Sequence, residues 1–276
     1  MTATIGVIAA LLSAISQAIA HALLAGGRDK LAIRGLIGAT GLIAALPLTL
    51  LVPLPTGQLW YWLLASGVLH AIYQLTLIKA YADEDFSVAY PLARGIVPLA
   101  TAILGVALLG DKPSPSVFVG VALVSVGLVF IAIEKRPAHA GMVAAVFAGL
   151  LTTGYTLLDA HAVRISPAMW TFIVWFFIFD GAIMSVIIVL RRRRSTLIAL
   201  RKEFRQGFSA GIFSLVTYSA ALVALRFIPT GSVAAIRETS IVFGAIIASV
   251  FLKEHLNNRR RIGIAVVAIG GIVVAL

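Results

Sequence analysis

Apolar stretches of about twenty residues run the whole length of the 276-residue chain, separated by short gaps that hold most of its charge. A helix needs about twenty apolar residues to cross the hydrocarbon core of a bilayer. Read at that length, the pattern predicts ten helices, at 2–25, 31–52, 58–81, 87–109, 115–133, 141–163, 167–190, 207–225, 230–252 and 262–276. The last stretch is short, which predicts a start a few residues earlier. Most connections are too short to hold a folded domain; the longest, 191–206, is polybasic. Ala18-Ile19-Ala20 resembles a signal cleavage site, but no Lys or Arg precedes the first stretch, which is therefore read as a retained helix.

Composition turns this pattern into a statement about solvent. Hydrophobic residues make up 61% of the chain and charged residues 12%, about half the charge of an ordinary soluble domain. So little polar surface cannot cover a water-soluble globule, and lipid must be the solvent for most of the exterior. The formal net charge is +11, but the basic residues sit in the gaps, where they set membrane orientation and meet lipid headgroups rather than nucleic acid. The chain has no cysteine, which excludes disulfides and thiolate metal sites.

The chain repeats itself. Shifted by 143 residues, Arg94 meets Arg237, Gly120 meets Gly263, Gly127 meets Gly270 and Asp111 meets Glu254. A charged residue, an acid and two glycines at fixed spacing do not coincide as easily as apolar residues do. The halves, 1–137 and 138–276, read as two copies of a five-helix unit. An odd number of helices per unit forces the copies to insert with opposite orientation, so the predicted fold is an all-α membrane protein with two inverted-topology repeats.

The run from Ser87 to Gly95 (SVAYPLARG), the Gly110-Asp111…Gly120…Gly127 spacing and its echo Glu254…Gly263…Gly270 resemble the drug/metabolite transporter superfamily, specifically its ten-helix EamA-type members. The resemblance covers nearly the whole chain. It implies a secondary transporter in a bacterial inner membrane, exporting or exchanging a small metabolite. It also implies a central cavity lined by the first, third, fourth, sixth, eighth and ninth helices.

Intramembrane polar residues fall in stripes on those same segments. An unpartnered polar group facing lipid is costly, so such residues should face protein or water, at helical spacings of three or four. The first segment carries Ser13, Gln17 and His21; the third His70, Tyr73, Gln74 and Tyr81; the fourth Ser87, Tyr90 and Arg94. The sixth carries Thr152, Tyr155, Thr156 and Asp159; the eighth Ser214, Thr217 and Tyr218; the ninth Thr230, Arg237, Glu238 and Ser240. For the small hydroxyls the bland reading is hydrogen bonding between helices. The arginines are a different matter, because a charge at the bilayer centre costs roughly 3 kcal/mol and structure can be had with less.

Arg94 and Arg237 therefore head the expected substrate site, with Gln17, His21, His70, Tyr73, Gln74, Tyr90, Tyr155, Tyr218 and Glu238 around them. Guanidinium groups suit a carboxylate, phosphonate or phosphate, and a zwitterion fits if Glu238 or Asp159 meets its amine. The alternative cargo is a cationic or lipophilic drug or amine. A second reading for Arg237 is a structural pair with Asp180, which stands alone in the seventh segment and must be protonated or bridged. Asp180, Asp159 and Glu238 are the candidates for coupling transport to protons, and His21 and His70 titrate in the right range. Pro91, Gly95 and Pro98 mark the fourth segment as the most deformable.

No metal or cofactor is expected, and the chain reads as a monomer or weak homodimer. An intramembrane enzyme is disfavoured: no His-Glu-x-x-His and no Gly-x-Ser-x-Gly motif is present. A passive channel is a third reading. Finally, the odd-numbered connections hold 17 of the 22 Lys and Arg and the even-numbered ones three, Lys112, Arg164 and Arg226. The positive-inside rule places the polybasic connection in the cytoplasm and both termini outside, whereas ten-helix relatives are usually described with cytoplasmic termini.

Overall fold

The computed structural model describes residues 1–83, 86–132, 139–251 and 257–276; of these, the side chains at 25, 77–83, 86–92, 139–141, 144, 248, 250 and 251 are not described. Among the described residues the chain is helical throughout: α1 Thr2–Gly26, α2 Lys30–Ala45, α3 Leu59–Asp83, α4 Phe86–Leu109, α5 Pro115–Ala132, α6 His139–Ile165, α7 Met169–Arg192, α8 Thr196–Phe227, α9 Thr230–Glu238, α10 Ser240–Phe251 and α11 Asn258–Ala275. Five stretches among them are long and apolar enough to cross a membrane. Large apolar side chains such as Ile8, Leu12 and Ile15 remain exposed along one face of α1, as a lipid-facing surface requires.

Three elements depart from the apolar pattern. The second predicted segment ends early as α2, because Pro47 cannot continue the ladder and starts a 3-10 turn over Pro47–Leu50. The ninth is divided into α9 and α10 at Thr239, whose hydroxyl turns back onto the Ile236 carbonyl at 2.6 Å. Residues 196–206, expected as connection, form the first three turns of α8. Their Arg, Lys, Glu and Gln are good helix formers, so helix outlasts hydrophobicity there. The fourth segment, expected to be the deformable one, is unbroken as α4, with the Thr101 hydroxyl donating to the carbonyls of Val97 and Pro98 just beyond Arg94.

The packing repeats with the sequence. α1 lies against α8 and α6 against α3; α2 lies against α8 and α7 against α3. Three pairs join an element to its own counterpart: α2 with α7, α4 with α9, and α5 with α11. The last pair shows how the halves are related. Gly120 faces Gly270 and Gly127 faces Gly263, so closely that a Cβ on Gly120 would lie 2.7 Å from the Gly270 carbonyl oxygen. The glycines that correspond in sequence, 120 with 263 and 127 with 270, therefore meet crosswise. Repeats inserted in the same direction would set corresponding glycines at equal depth; crosswise pairing requires antiparallel helices and an inverted repeat.

Candidate functional site: a charged cavity between the repeats

A cavity of about 120 Å³ lies where the two repeats meet. Of the residues expected at a substrate site, Gln17, His21, His70, Tyr73, Gln74, Arg94, Tyr155, Tyr218 and Arg237 line it, as does Asp180. The Tyr90 side chain, like those of Tyr81 and Ser87, lies outside the described residues, as does Glu254. Glu238 and Asp159 are not in the wall; each is buried behind it against a partner. Nor are six helices the whole lining. α2 contributes Arg34, Ile37, Gly38 and Gly41, and α7 contributes Phe176, Phe177 and Asp180.

The two arginines, equivalent in sequence, stand in different electrostatic positions. Arg94 Nε donates to Glu238 Oε2 at 3.0 Å, and both side chains are almost wholly buried. Arg237 has no acid within ion-pair distance among the described residues. Its Nη2 donates to Gln17 Oε1 at 2.9 Å, its guanidinium carbon lies 5.9 Å from the Tyr218 ring centre, and its buried Nε has no hydrogen-bond partner. Gln17 in turn donates to the Ser240 hydroxyl at 3.1 Å, which ties α1 to the start of α10. The pairing of Arg237 with Asp180 does not occur. Asp180 accepts from Gln74 Nε2 at 3.1 Å across the α3–α7 contact and meets no cation at ion-pair distance among the described residues.

Asp159 is fully buried inside a polar knot. The Ser66 and Tyr218 hydroxyls donate to it, and His70 Nε2 lies 3.1 Å from its Oδ2 and 2.7 Å from the Tyr218 oxygen. Aromatic rings enclose His70: Tyr155, Tyr218 and Phe176 have their centres 4.0, 4.9 and 5.0 Å away. This assembly fixes one wall of the cavity rigidly, since every member packs on or bonds another. The threonines of the sixth segment play neither expected part, because Thr152 and Thr156 bond carbonyls one turn back in their own helix.

One end of the bundle is clamped. Asp111, in the connection between α4 and α5, accepts from Arg164 Nη1 at 2.7 Å and from the backbone N–H of Thr230 at 2.6 Å, capping α9. Arg164 at the end of α6 also donates to the Leu225 and Ile228 carbonyls, which close α8. Arg226 near the end of α8 returns the arrangement, donating to the Val163 and Arg164 carbonyls of α6. Both arginines count in the sequence as connection charges, yet they satisfy carbonyls that helix ends leave orphaned. The Asp111 contacts alone cross between the repeats in this clamp.

Sequence reasoning missed Arg34, Ser66, Asp111 and Arg164. Arg34 and Arg164 were hidden by their nearness to gaps in the apolar pattern, where a cation reads as topology. Asp111 marked the repeat but gave no sign of its partners, which lie 53 and 119 residues away.

Antiparallel five-helix repeats in an apolar envelope, with ionisable side chains gathered between them at mid-depth, define a multi-pass integral membrane protein of the inverted-repeat type. The EamA-like transporter family matches residues 4–133 and again 139–276, and the chain belongs to that family of membrane transporters. A crystal structure of another protein, 16% identical, superposes with a TM-score of 0.74 over 100% of this chain and 98% of the other, a likeness of fold alone. No curated protein matches the chain.

Proposed function

We propose that the protein is a secondary active transporter in a bacterial inner membrane, exporting or exchanging a small anionic or zwitterionic metabolite by alternating access. The observation that carries this reading is Arg237, a buried cation at the cavity wall with a hydrogen-bond donor left unpartnered. A desolvated guanidinium without a counter-ion is costly, and a carboxylate, phosphonate or phosphate from the cargo would supply what it lacks. The cavity volume supports a small metabolite over the cationic or lipophilic drugs considered as the alternative, since sites for drug-sized ligands usually exceed roughly 300 Å³. Arg94, already neutralised by Glu238, would shape the site rather than hold the anion.

Asp180 is the coupling acid in this scheme. Unlike Glu238 and Asp159, it borders the cavity and is held by a single neutral amide, so a proton can reach it when the cargo is absent. Counterflow in proteoliposomes tests both parts. The wild-type protein should exchange labelled metabolite against unlabelled, which a channel does not. Arg237→Ala should lower uptake roughly tenfold or more, the value of a lost charge-assisted bond, with folding retained. Asp180→Asn should keep exchange but lose accumulation driven by a pH gradient. If Arg237→Ala exchanges normally, the anchor is misassigned; if Asp180→Asn still accumulates cargo against its gradient, the coupling acid lies elsewhere.

A further inference from the structure

The end of the bundle opposite the Asp111 clamp carries a second cleft, formed where the turn between α1 and α2 meets the first turns of α8. Its frame is tightly tied. The Asp29 carboxylate caps α2 at the Ala32 N–H (3.0 Å) and pairs with Arg192 Nη2 (2.7 Å), while its backbone N–H donates to Glu203 Oε1 at 3.1 Å. Lys30 Nζ donates to the Leu24 and Gly27 carbonyls at 2.8 Å each, and Gln206 Nε2 to the Leu23 carbonyl at 2.7 Å. Both acids of the cleft, and Lys30, thus serve the frame.

Three cationic donors remain over. Arg28 and Lys202 line the cleft exposed, with no hydrogen bond or ion pair among the described residues, and Arg192 Nε is buried without a partner. Cations that only set topology need to be on the correct side of the membrane; they do not need to converge on one cleft whose acids are turned to other partners.

The neighbouring surface indicates what kind of anion fits. α8 has 32 residues, about 48 Å of helix against a hydrocarbon core of about 30 Å. Its first turns therefore extend into the headgroup layer. There Leu197 is 70% exposed and Phe204 56%, and Phe204 stacks on Phe208 one turn on, with ring centres 5.7 Å apart. These three lie on one face of α8 (197, 204, 208), beside the face that lines the cleft (199, 202, 203, 206). Cationic donors next to exposed apolar rings match a ligand with a phosphate at one end and hydrocarbon at the other.

We propose that this cleft binds the headgroup of an anionic phospholipid, with Arg28, Lys202 and the free donor of Arg192 on its phosphate and the α8 apolar face against its acyl chains. The proposal does not depend on the cargo, because none of these residues borders the cavity between the repeats.

Thermal unfolding of the purified full-length protein in a neutral detergent tests it, with short-chain phosphatidylglycerol, phosphatidylcholine or inorganic phosphate as the probe. Phosphatidylglycerol should raise the unfolding temperature saturably, and the other two should not. Arg28→Gln with Lys202→Gln should weaken that effect roughly thirty-fold, while Arg260→Gln with Arg261→Gln, an equal loss of charge at the start of α11, should leave it unchanged. Arg192 is kept because it holds Asp29, and single replacement of Arg28 or Lys202, each unpartnered, serves if the double variant is poorly made. Equal stabilisation by inorganic phosphate would make the cleft a free-phosphate site and overturn the lipid assignment. An undiminished effect in the Arg28/Lys202 variant, or an equal loss in the Arg260/Arg261 variant, would overturn the site itself.

Discussion

Two arginines that the repeat makes equivalent should respond oppositely to removal. Arg94 and Glu238 are a buried pair, and deleting one partner strands the other charge at a cost of about 3–5 kcal/mol. Arg94→Ala should therefore unfold at a markedly lower temperature, and adding Glu238→Ala should recover part of the loss. A double variant as unstable as the single one would mean that the pair is not what holds the bundle there. Arg237→Ala strands no charge and should leave the unfolding temperature near that of wild type while abolishing stabilisation by anionic ligands. The positions of both arginines were legible in the sequence because a charge inside an apolar run stands out. Their unlike partners were not, since Glu238 is 144 residues from Arg94 and Gln17 is 220 from Arg237.

Among the elements, helix starts and ends were readable wherever proline or a clear loss of hydropathy coincided with the end of the helix. They were misread where the two part company. The apolar pattern begins at Gly207, but the helix has already run from Thr196, because basic and amide side chains leave lipid without leaving helical geometry. The division at Thr239 is a local hydroxyl-to-carbonyl bond within an apolar stretch, which a hydropathy profile cannot register. The clamp of α6, α8 and α9 is likewise a tertiary fact. If it shuts its end of the cavity, Asp111→Asn should loosen it, as the amide loses the charge that holds Arg164. The chain is naturally free of cysteine, so Ser214→Cys in the cavity wall gives a single reporter. Labelling by an impermeant maleimide from the side of residues 110–114 should be several-fold faster with Asp111→Asn. Unchanged labelling would show that the clamp is not the barrier.

For the molecule as a whole, the inverted repeat was legible because four matches at one spacing survive in a composition that makes most matches meaningless. The crosswise seating of its glycines was not, since a shift of 143 residues pairs 120 with 263 and says nothing of what touches what. The contact sets the sign of two otherwise similar substitutions. Gly120→Ala places a methyl within 2.7 Å of a backbone carbonyl and should lower the unfolding temperature. Gly244→Ala, in α10 with nothing within 4 Å, should be neutral or raise it, as alanine is the better helix former by about 1 kcal/mol. Equal effects at the two sites would mean that α5 and α11 are not pressed together. Orientation belongs to this scale too. A fluorescent protein fused after Leu276 should stay dark in bacterial cells and alkaline phosphatase there should be active, if the polybasic connection is cytoplasmic; the reverse outcome would put both termini inside.

The α5–α11 contact has one more consequence. Two helices seated carbonyl against glycine cannot slide past or draw apart from each other without losing that fit, so they are the natural fulcrum of the molecule. Because they are antiparallel and meet near the middle of each, a tilt about their crossing would move the two rims of the bundle in opposite senses, like the ends of a seesaw. The rim tied by Asp111 could then part only as the other rim drew in. Leverage of this kind would let one small rotation expose the cavity to a single compartment at a time, with no separate timing device for the two sides.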